Sequence, residues 1–477
     1  MRMNLCLSFV ILLTMSQVVS ADNPVAAPMA IVGYTNQLSY HAGDEIAFHM
    51  SSEFERYHVT IQRYGAQRET VWQGDIDNGK AHPVPDNAST HGWDWPTAFT
   101  VGVTDAWSSG YYEVFTGAPD PNDEDRWIEG RTMFFVVRPN RPGQDADILL
   151  QLSTNTYNAY NNWGGTSLYR FNSRDQKRAR RVSFSPLPSG AYSWELPFIE
   201  WAERNGYRLD YAVNSDLERY PDLIKPYKLI LSVGHDEYWS APMRDHIDEF
   251  VASGGNLAFF GGNNLTWQIR YEDGGQTMVC WKEWYRDDPL YRPQGPNPLL
   301  TTLWSHYLVN RPENQLTGVG MMIGGMHRSH GQLLDGSGAF TLHQPEHWVF
   351  KGTELKGGDQ FGGKNSIVGY ETDGCEMTIL DGRLVPTHRD GTPESFEVLA
   401  TAPARWPDGE WSWYERWPEG RIGNACLGLY SRRDGGTVFS TATTGWANGL
   451  RGHDPVIERI TRNVLDRLSL SKETGDL

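Results

Sequence analysis

The sequence predicts a mixed α/β protein, in which a small N-terminal β-sandwich precedes a doubly wound α/β domain with a long insertion. Two observations predict this arrangement. Short alternating apolar runs separated by turn residues fill residues 29–140, as in a sandwich. From residue 145 onwards, buried-strand and helix patterns alternate, as in a parallel sheet covered by helices. The 49 glycines and 27 prolines agree with a turn-rich chain.

The sandwich is predicted from four runs and the polar turns between them. The runs span residues 45–50, 57–64, 111–115 and 132–137, and the domain is immunoglobulin-like in size. The polar, proline-containing segment 138–143 is predicted to be a linker, because proline cannot continue a central strand.

The α/β domain is predicted over residues 145–472. Its strands are expected at 148–152, 208–213, 228–233 and 257–260, with helices at 196–205 and 241–253. Residues from about 270 to 435 are rich in Trp and Gly and patterned less regularly, which indicates an insertion with extra strands. A strand at 437–440 and a helix at about 455–468 would return the chain to the sheet.

The N-terminus has the pattern of a secretory signal peptide over residues 1–21. Arg2 precedes an apolar stretch too short for a comfortable membrane span, and small residues precede a cleavage site after Ala21. We therefore expect a secreted or periplasmic protein with no membrane attachment after cleavage. At most one disulfide could then join two of Cys280, Cys375 and Cys426, and the pairing is open.

Three polar loops follow predicted parallel strands, at residues 154–165, 234–240 and 261–264. Ligands bind outside the carboxyl ends of such strands, so these loops are expected to converge on one site. The second loop contains His235, Asp236 and Glu237, which could serve as a base, an acid or metal ligands. Asp236 or Ser240 could instead cap the following helix.

Other classes of function lack support. The net charge of −17 disfavours nucleic acid as a partner. The sequence contains no Gly-x-Gly-x-x-Gly, Gly-x-Ser-x-Gly, Walker or His-Glu-x-x-His motif.

Several strings resemble the C-terminal region of the N,N-dimethylformamidase large (beta) subunit family. They are TNTYNAYNNWGGTSLY (154–169), GHDEYWS (234–240), GGNLAFFGGN (254–263), VGYETDG (368–374) and GWANGL (445–450). The resemblance implies an immunoglobulin-like segment, a glutamine-amidotransferase-like domain and a ferric site formed by two tyrosines and one glutamate.

Carried over by position, the resemblance makes Glu237 the glutamate ligand and Tyr157 one tyrosine, with Tyr160 as its rival. The other tyrosine is Tyr112 in Ser-Gly-Tyr-Tyr, ahead of Tyr111. Phenolate and carboxylate oxygens are hard ligands suited to Fe³⁺.

Around such a metal, the neighbouring polar side chains would have catalytic roles. His235 or Asp236 could pass a proton to a leaving amine. Asn161, Asn162 and Asn263 could orient the amide or its oxyanion, or could simply be turn residues. That family's subunit also has an N-terminal lectin-like domain, whereas this chain begins almost at the sandwich.

The favoured function is therefore a metal-dependent amidohydrolase with a small or substituted amide as substrate; a homo-oligomer is compatible with the sequence. One alternative is a non-enzymatic extracellular protein that binds carbohydrate or envelope ligands, and another is a hydrolase of a different class on the same fold. The residues that would stack on sugar rings in the binding protein are Trp163, Trp239, Trp267, Trp281, Trp284 and Trp446.

Overall fold

A computed structural model describes residues 30–185, 194–329, 332–333, 336–417 and 421–470. The predicted signal peptide, residues 1–21, lies outside the described residues. Among the described residues, no helix has both the length and the apolar character needed to cross a membrane.

The N-terminal part consists of two sheets that share one apolar core. One sheet has the order β1-β3-β6, and the other has the order β2-β9-β7-β4-β5 with β8 paired to β7. Alternate residues of β4, among them Val59 and Ile61, are buried, and they pack in one cluster with Phe48 of β3. The elements are β1 (Ile31–Thr35), β2 (Ser39–Tyr40), β3 (Glu45–Ser52), β4 (Tyr57–Tyr64), β5 (Glu69–Ile76), α1 (Ala88–His91), β6 (Thr97–Gly102), β7 (Gly110–Asp120), β8 (Asp123–Glu129) and β9 (Met133–Val137).

The next part of the chain builds the parallel half of a large sheet. Strands β10, β12, β13 and β15 pair in parallel, and every residue of each strand is buried. Uniform burial of this kind follows from covering both faces of the sheet with helices. The elements are β10 (Ile148–Leu152), α2 (Thr154–Ala159), β11 (Arg181–Ser183), α3 (Glu195–Arg204), β12 (Leu209–Val213), α4 (Asn214–Arg219), β13 (Leu229–His235), β14 (Tyr238–Ser240), α5 (Ala241–Ala252), β15 (Asn256–Gly262), β16 (Trp267–Glu272) and β17 (Thr277–Val279).

The Trp-rich segment supplies much of the antiparallel half of the same sheet. Within the described residues the full order is β12-β10-β13-β15-β28-β27-β26-β21-β22. The sequence predicted extra strands in this region but not that they extend the central sheet. The elements are α6 (Asn314–Thr317), β18 (Gly320–Met326), β19 (Arg328–Ser329), β20 (Gln332–Leu333), β21 (Phe340–Leu342), β22 (Gln360–Phe361), β23 (Glu371–Gly374), β24 (Met377–Leu380), β25 (Arg383–Pro386), β26 (Glu397–Ala404), β27 (Gly423–Ser431), β28 (Thr437–Ser440), α7 (Trp446–Arg451) and α8 (Pro455–Ser469).

Helices pack against two separate apolar clusters of the sheet region. Phe198 of α3 and Ile457 of α8 belong to one cluster, and Met243 and Ile247 of α5 belong to the other. Ser240 caps α5 by accepting a hydrogen bond from the backbone N–H of Met243 at 3.3 Å, as one sequence alternative predicted.

A buried polar contact joins the sandwich to the α/β part. Arg63 of β4 donates two hydrogen bonds to the Glu203 carboxylate of α3, at 2.7 and 3.1 Å. Glu203 also accepts hydrogen bonds from the Tyr211 hydroxyl at 2.8 Å and from the Ala66 backbone N–H at 3.0 Å.

The structure confirms a mixed α/β protein that is rich in strands. The runs at 57–64, 148–152 and 437–440 form strands with the predicted bounds. The run at 111–115 forms part of a longer strand, Gly110–Asp120, and the other predicted strands and helices differ by at most two residues at either end. The immunoglobulin-like and glutamine-amidotransferase-like assignments, and the predicted domain boundaries, stay predictions.

Candidate active site

The three loops predicted to converge do meet at one edge of the sheet. His235 is the last residue of β13, and Asn263 directly follows the neighbouring parallel strand β15. The ring of Tyr160, which follows α2, lies 6.1 Å from the His235 ring. Because parallel strands end at the same edge, residues far apart in sequence meet there.

His235 lies between two carboxylates. Its Nε2 is 2.7 Å from Glu371 Oε2 and 3.2 Å from Glu237 Oε1, and its side chain is 2% exposed. Burial alone would lower the pKa of the imidazole, but Glu237 and Glu371 outweigh burial and raise the pKa to about 9. The two carboxylates therefore favour the protonated imidazole, which is the form that can donate a proton.

Glu371 begins the short strand β23 in the Trp-rich part of the chain. Its Oε2 accepts a hydrogen bond from Asn263 Nδ2 at 3.2 Å as well as contacting His235. Asn263 has a φ of +54°, which asparagine tolerates better than most residues. The backbone N–H of Asn263 donates to Asp373 Oδ1 at 2.9 Å, so β23 holds the asparagine in place.

Four phenol side chains surround Glu237. The Tyr169 hydroxyl donates to Glu237 Oε2 at 2.9 Å, and the Tyr238 hydroxyl donates to the Tyr169 oxygen at 2.6 Å. Tyr160 stacks on Tyr169 with ring centroids 4.2 Å apart, and its hydroxyl interacts with those of Tyr169 and Tyr370. Burial, followed by the charge of Glu237, raises the pKa of Tyr160 and Tyr169 well above the ordinary value.

Lys282 places a cation beside these phenols. Its Nζ lies 3.6 Å from the ring centroid of Tyr169 and 4.6 Å from that of Trp267, and the residue is 4% exposed. Burial lowers the pKa of Lys282 to about 8, although the Glu237 charge opposes this shift. Its backbone has a φ of +53°, a left-handed conformation that is strained for a residue other than glycine.

The structure does not bring two of the predicted metal ligands to Glu237. Tyr112 packs in the sandwich core, stacked on Phe135 with centroids 5.4 Å apart, and its hydroxyl donates to the Ser108 carbonyl at 2.7 Å. The Tyr157 hydroxyl donates to the buried carboxylate of Glu195 instead. The rival candidate Tyr160 occupies the site.

Three of the predicted catalytic side chains make hydrogen bonds to residues other than Glu237, Glu371 and His235. Asp236 is fully buried and accepts hydrogen bonds from the Ser232 hydroxyl at 2.9 Å and from Gln151 and Asn214, which hold its carboxylate inside the protein. The exposed Asn162 donates to Asn172 at 2.8 Å. Asn161 is buried, and its Oδ1 accepts a hydrogen bond from the Trp163 backbone N–H at 3.2 Å, as expected of a turn residue.

Half of the tryptophans proposed to stack on sugar rings are buried inside the protein. Trp239 and Trp446 are fully buried and Trp267 is 7% exposed, so these faces are not open to a sugar ring. Trp163, Trp281 and Trp284 are partly exposed.

The donor atoms at Glu237 are chemically suited to a ferric ion. Glu237, Tyr160 and Tyr169 would supply one carboxylate and two phenolates, which are hard anionic ligands. In the part of the chain that the structure describes, no group of three or more His, Cys, Asp or Glu side chains is arranged to hold a metal.

Sequence reasoning missed Tyr169, Tyr370, Glu371 and Lys282. Tyr169 ends the first family-like string, and Glu371 and Tyr370 lie in Val-Gly-Tyr-Glu-Thr-Asp-Gly, so an assignment of roles within those strings could have found them. No pattern in the sequence marks Lys282.

Comparison with known proteins adds the following findings. A family model described as N,N-dimethylformamidase beta subunit-like, C-terminal, matches residues 58–459. The chain is 26% identical over 311 residues to the N,N-dimethylformamidase beta subunit of Paracoccus aminophilus, and 24% identical over 312 residues to that of an Alcaligenes species. Each match covers 57% of this chain but only 36% and 37% of the respective relatives. Among solved structures, a calcium-binding mutant of Bacteroides uniformis beta-glucuronidase 2 matches with a TM-score of 0.13, at 9% identity over 48% of this chain and 23% of that chain, and supports no argument.

Proposed function

The chain belongs to the N,N-dimethylformamidase beta subunit-like C-terminal family, and on that premise we propose that it is an iron-dependent amidohydrolase. The substrate would be a small or substituted amide, and the protein would act outside the cytoplasm, as a secreted or periplasmic enzyme. The observation that carries the proposal is the placement of His235 between Glu237 and Glu371 beside a group of phenols.

The ferric ion would be held by Glu237, Tyr160 and Tyr169. When bound, it supplies Lewis acidity that polarises an amide carbonyl and acidifies water at the site. Tyr160 and Tyr169 are only partly exposed, and Lys282 lies against the Tyr169 ring, where its positive charge favours a phenolate.

The remaining residues would move protons and orient the amide. Glu371 holds His235 in its protonated form, and His235 donates a proton to the nitrogen of the leaving amine. Glu371 can accept a proton from the attacking water. Its Oε2 lies within hydrogen-bonding distance of both His235 and Asn263, the two residues that would act on the amide. The Asn263 amide would donate a hydrogen bond to the carbonyl oxygen as negative charge develops on it.

Visible absorption of the purified full-length protein, together with metal analysis, tests the iron site. We expect bound iron and a broad phenolate-to-iron band that is lost in Glu237→Ala and strongly weakened in Tyr160→Phe and Tyr169→Phe. Tyr112→Phe and Tyr157→Phe are matched controls that should keep the band, since both hydroxyls point elsewhere. A colourless protein without iron contradicts the metal assignment, and loss of the band in Tyr112→Phe contradicts this ligand set.

Release of amine from dimethylformamide and related small amides tests the activity. We expect turnover that depends on iron and on His235. An iron-loaded protein that hydrolyses no amide across such a series contradicts the proposed reaction, and glycan binding becomes the next assay.

A further inference from the structure

Two of the three described cysteines lie side by side in the interior. Cys375 Sγ and Cys426 Sγ are 3.7 Å apart, and both residues are fully buried. The atoms are in van der Waals contact, and a disulfide needs a separation of about 2.05 Å, so a modest rotation of the side chains would bring them into bonding range.

Cys280 is placed differently. It lies in the apolar cluster that contains α8, whereas Cys375 and Cys426 share the cluster that contains α5. The Cys280 thiol donates to the carbonyl oxygens of Gln268 and Thr301, each at 3.7 Å. The three ways of pairing the cysteines are therefore not equivalent, because only one pair is in contact.

The backbone around the close pair is tightly packed. A Cβ atom on Gly374 would lie 2.3 Å from the carbonyl oxygen of Asn424, so only glycine permits the segments around residues 374 and 424 to approach so closely. The Asn424 side chain donates a hydrogen bond to the Cys375 carbonyl at 3.0 Å. The two cysteines are thus held next to each other by neighbours on both segments.

We propose that Cys375 and Cys426 form a disulfide that fastens β23 to the central sheet. Cys375 directly follows β23, which begins with Glu371, and Cys426 lies within β27. The crosslink would hold the strand that carries Glu371 and Asp373 against the sheet when the surrounding structure loosens. Cys280 remains a thiol.

The oxidation needs a disulfide oxidant such as oxidised glutathione. The thiolate of one cysteine attacks the oxidant's S–S bond and releases one glutathione thiol, leaving a mixed disulfide. The second thiolate attacks the protein sulfur of that mixed disulfide and releases the second glutathione thiol. One S–S bond forms and one is reduced, and the two protons lost by the cysteines are carried by the two released thiols.

The test uses the full-length chain, kept with oxidised glutathione in urea just below the onset of unfolding so that local opening exposes the thiols. The protein is then denatured, alkylated without reductant and mapped by peptide mass spectrometry. We expect one crosslinked peptide pair containing Cys375 and Cys426, lighter by two hydrogen atoms, with Cys280 alkylated. Alkylation of Cys375 and Cys426, persistent glutathione adducts, or a crosslink to Cys280 would each overturn the proposal.

A second measurement compares the melting temperatures of the oxidised and reduced forms. Oxidation should raise the melting temperature by roughly 2–4 °C for a chain of this length. Cys280→Ala should retain this increase, and Cys375→Ala and Cys426→Ala should each lose it. If either Cys375→Ala or Cys426→Ala fails to fold, the other variant provides the test. An oxidation-dependent rise in melting temperature equal to that of wild type in these variants would contradict a stabilising role for the crosslink.

Discussion

Replacing Glu203 by glutamine should weaken the whole structure by breaking the contact between the sandwich and α3. The carboxylate accepts two hydrogen bonds from Arg63, and the two side chains are only 15% and 14% exposed. A buried ion pair that loses one partner costs about 3–5 kcal/mol, and the remaining exposure places the expected loss near the lower end, about 3 kcal/mol.

The assay is urea unfolding, followed by tryptophan fluorescence and by circular dichroism, whose agreement checks that the transition is two-state. Asp75→Asn is a matched control, because it removes a carboxylate from the exposed pair with Arg56 and should leave stability nearly unchanged. A loss of less than about 1 kcal/mol in the free energy of unfolding of Glu203→Gln would refute the claim that this ion pair acts as a buried one, because exposed ion pairs contribute that little.

The same variant has a defined dependence on pH. Burial would raise the pKa of Glu203, but the hydrogen bonds and charge of Arg63 outweigh burial and hold it below the ordinary value of 4.5. The stabilisation is thus fully present above pH 4.5 and is lost as the pH falls through the lower pKa of the folded state. The stability difference between wild type and Glu203→Gln should shrink in that acid range and stay constant above it.

Three further predictions concern the site and its support. Burial raises the pKa of Glu195 from 4.5 to about 7, so the contribution of Glu195 to stability falls as the pH rises through that interval. Glu195→Gln should therefore flatten the change in melting temperature between pH 5 and pH 8. A wild-type dependence of melting temperature on pH in this variant would contradict the prediction. Gly234→Ala should lower the melting temperature and amide turnover together, because Gly234 has a φ of +85° and an added Cβ would lie 2.4 Å from Trp194 Cβ; a variant with wild-type behaviour would show that this strand position tolerates a side chain. Glu371→Gln should reduce kcat for amide hydrolysis by about 100-fold or more while the protein stays folded, and near-normal kcat would remove Glu371 from the mechanism.

The sequence predicts the parallel half of the sheet well because buried strands there are continuous apolar runs. The run at 228–233 and the polar residues that follow it mark both a strand and the edge where ligands bind. The shared edge of these parallel strands is therefore sufficient to predict from sequence that His235, Glu237 and Asn263 lie close together.

The tyrosines show why the site could not be completed from sequence. Tyr111 and Tyr112 are neighbours on β7, and successive side chains of a strand point to opposite faces. Tyr111 packs in the large α/β core and Tyr112 in the sandwich core, a difference set by the register of β7 against its partners. Glu371 was missed because it lies on a short strand in a segment without clear hydrophobic periodicity.

The position of β28 in the sheet determines when the protein can finish folding as it is made. This strand, Thr437–Ser440, lies between β15 and β27 in the middle of the sheet although it is the last strand of the described chain. During synthesis, the apolar edge of β15 therefore emerges from the ribosome long before its neighbour, and the sheet stays in two halves until residue 440 is available. Such an unpaired edge promotes association with other chains, so the chain is most prone to aggregate in the interval between the synthesis of β15 and that of β28.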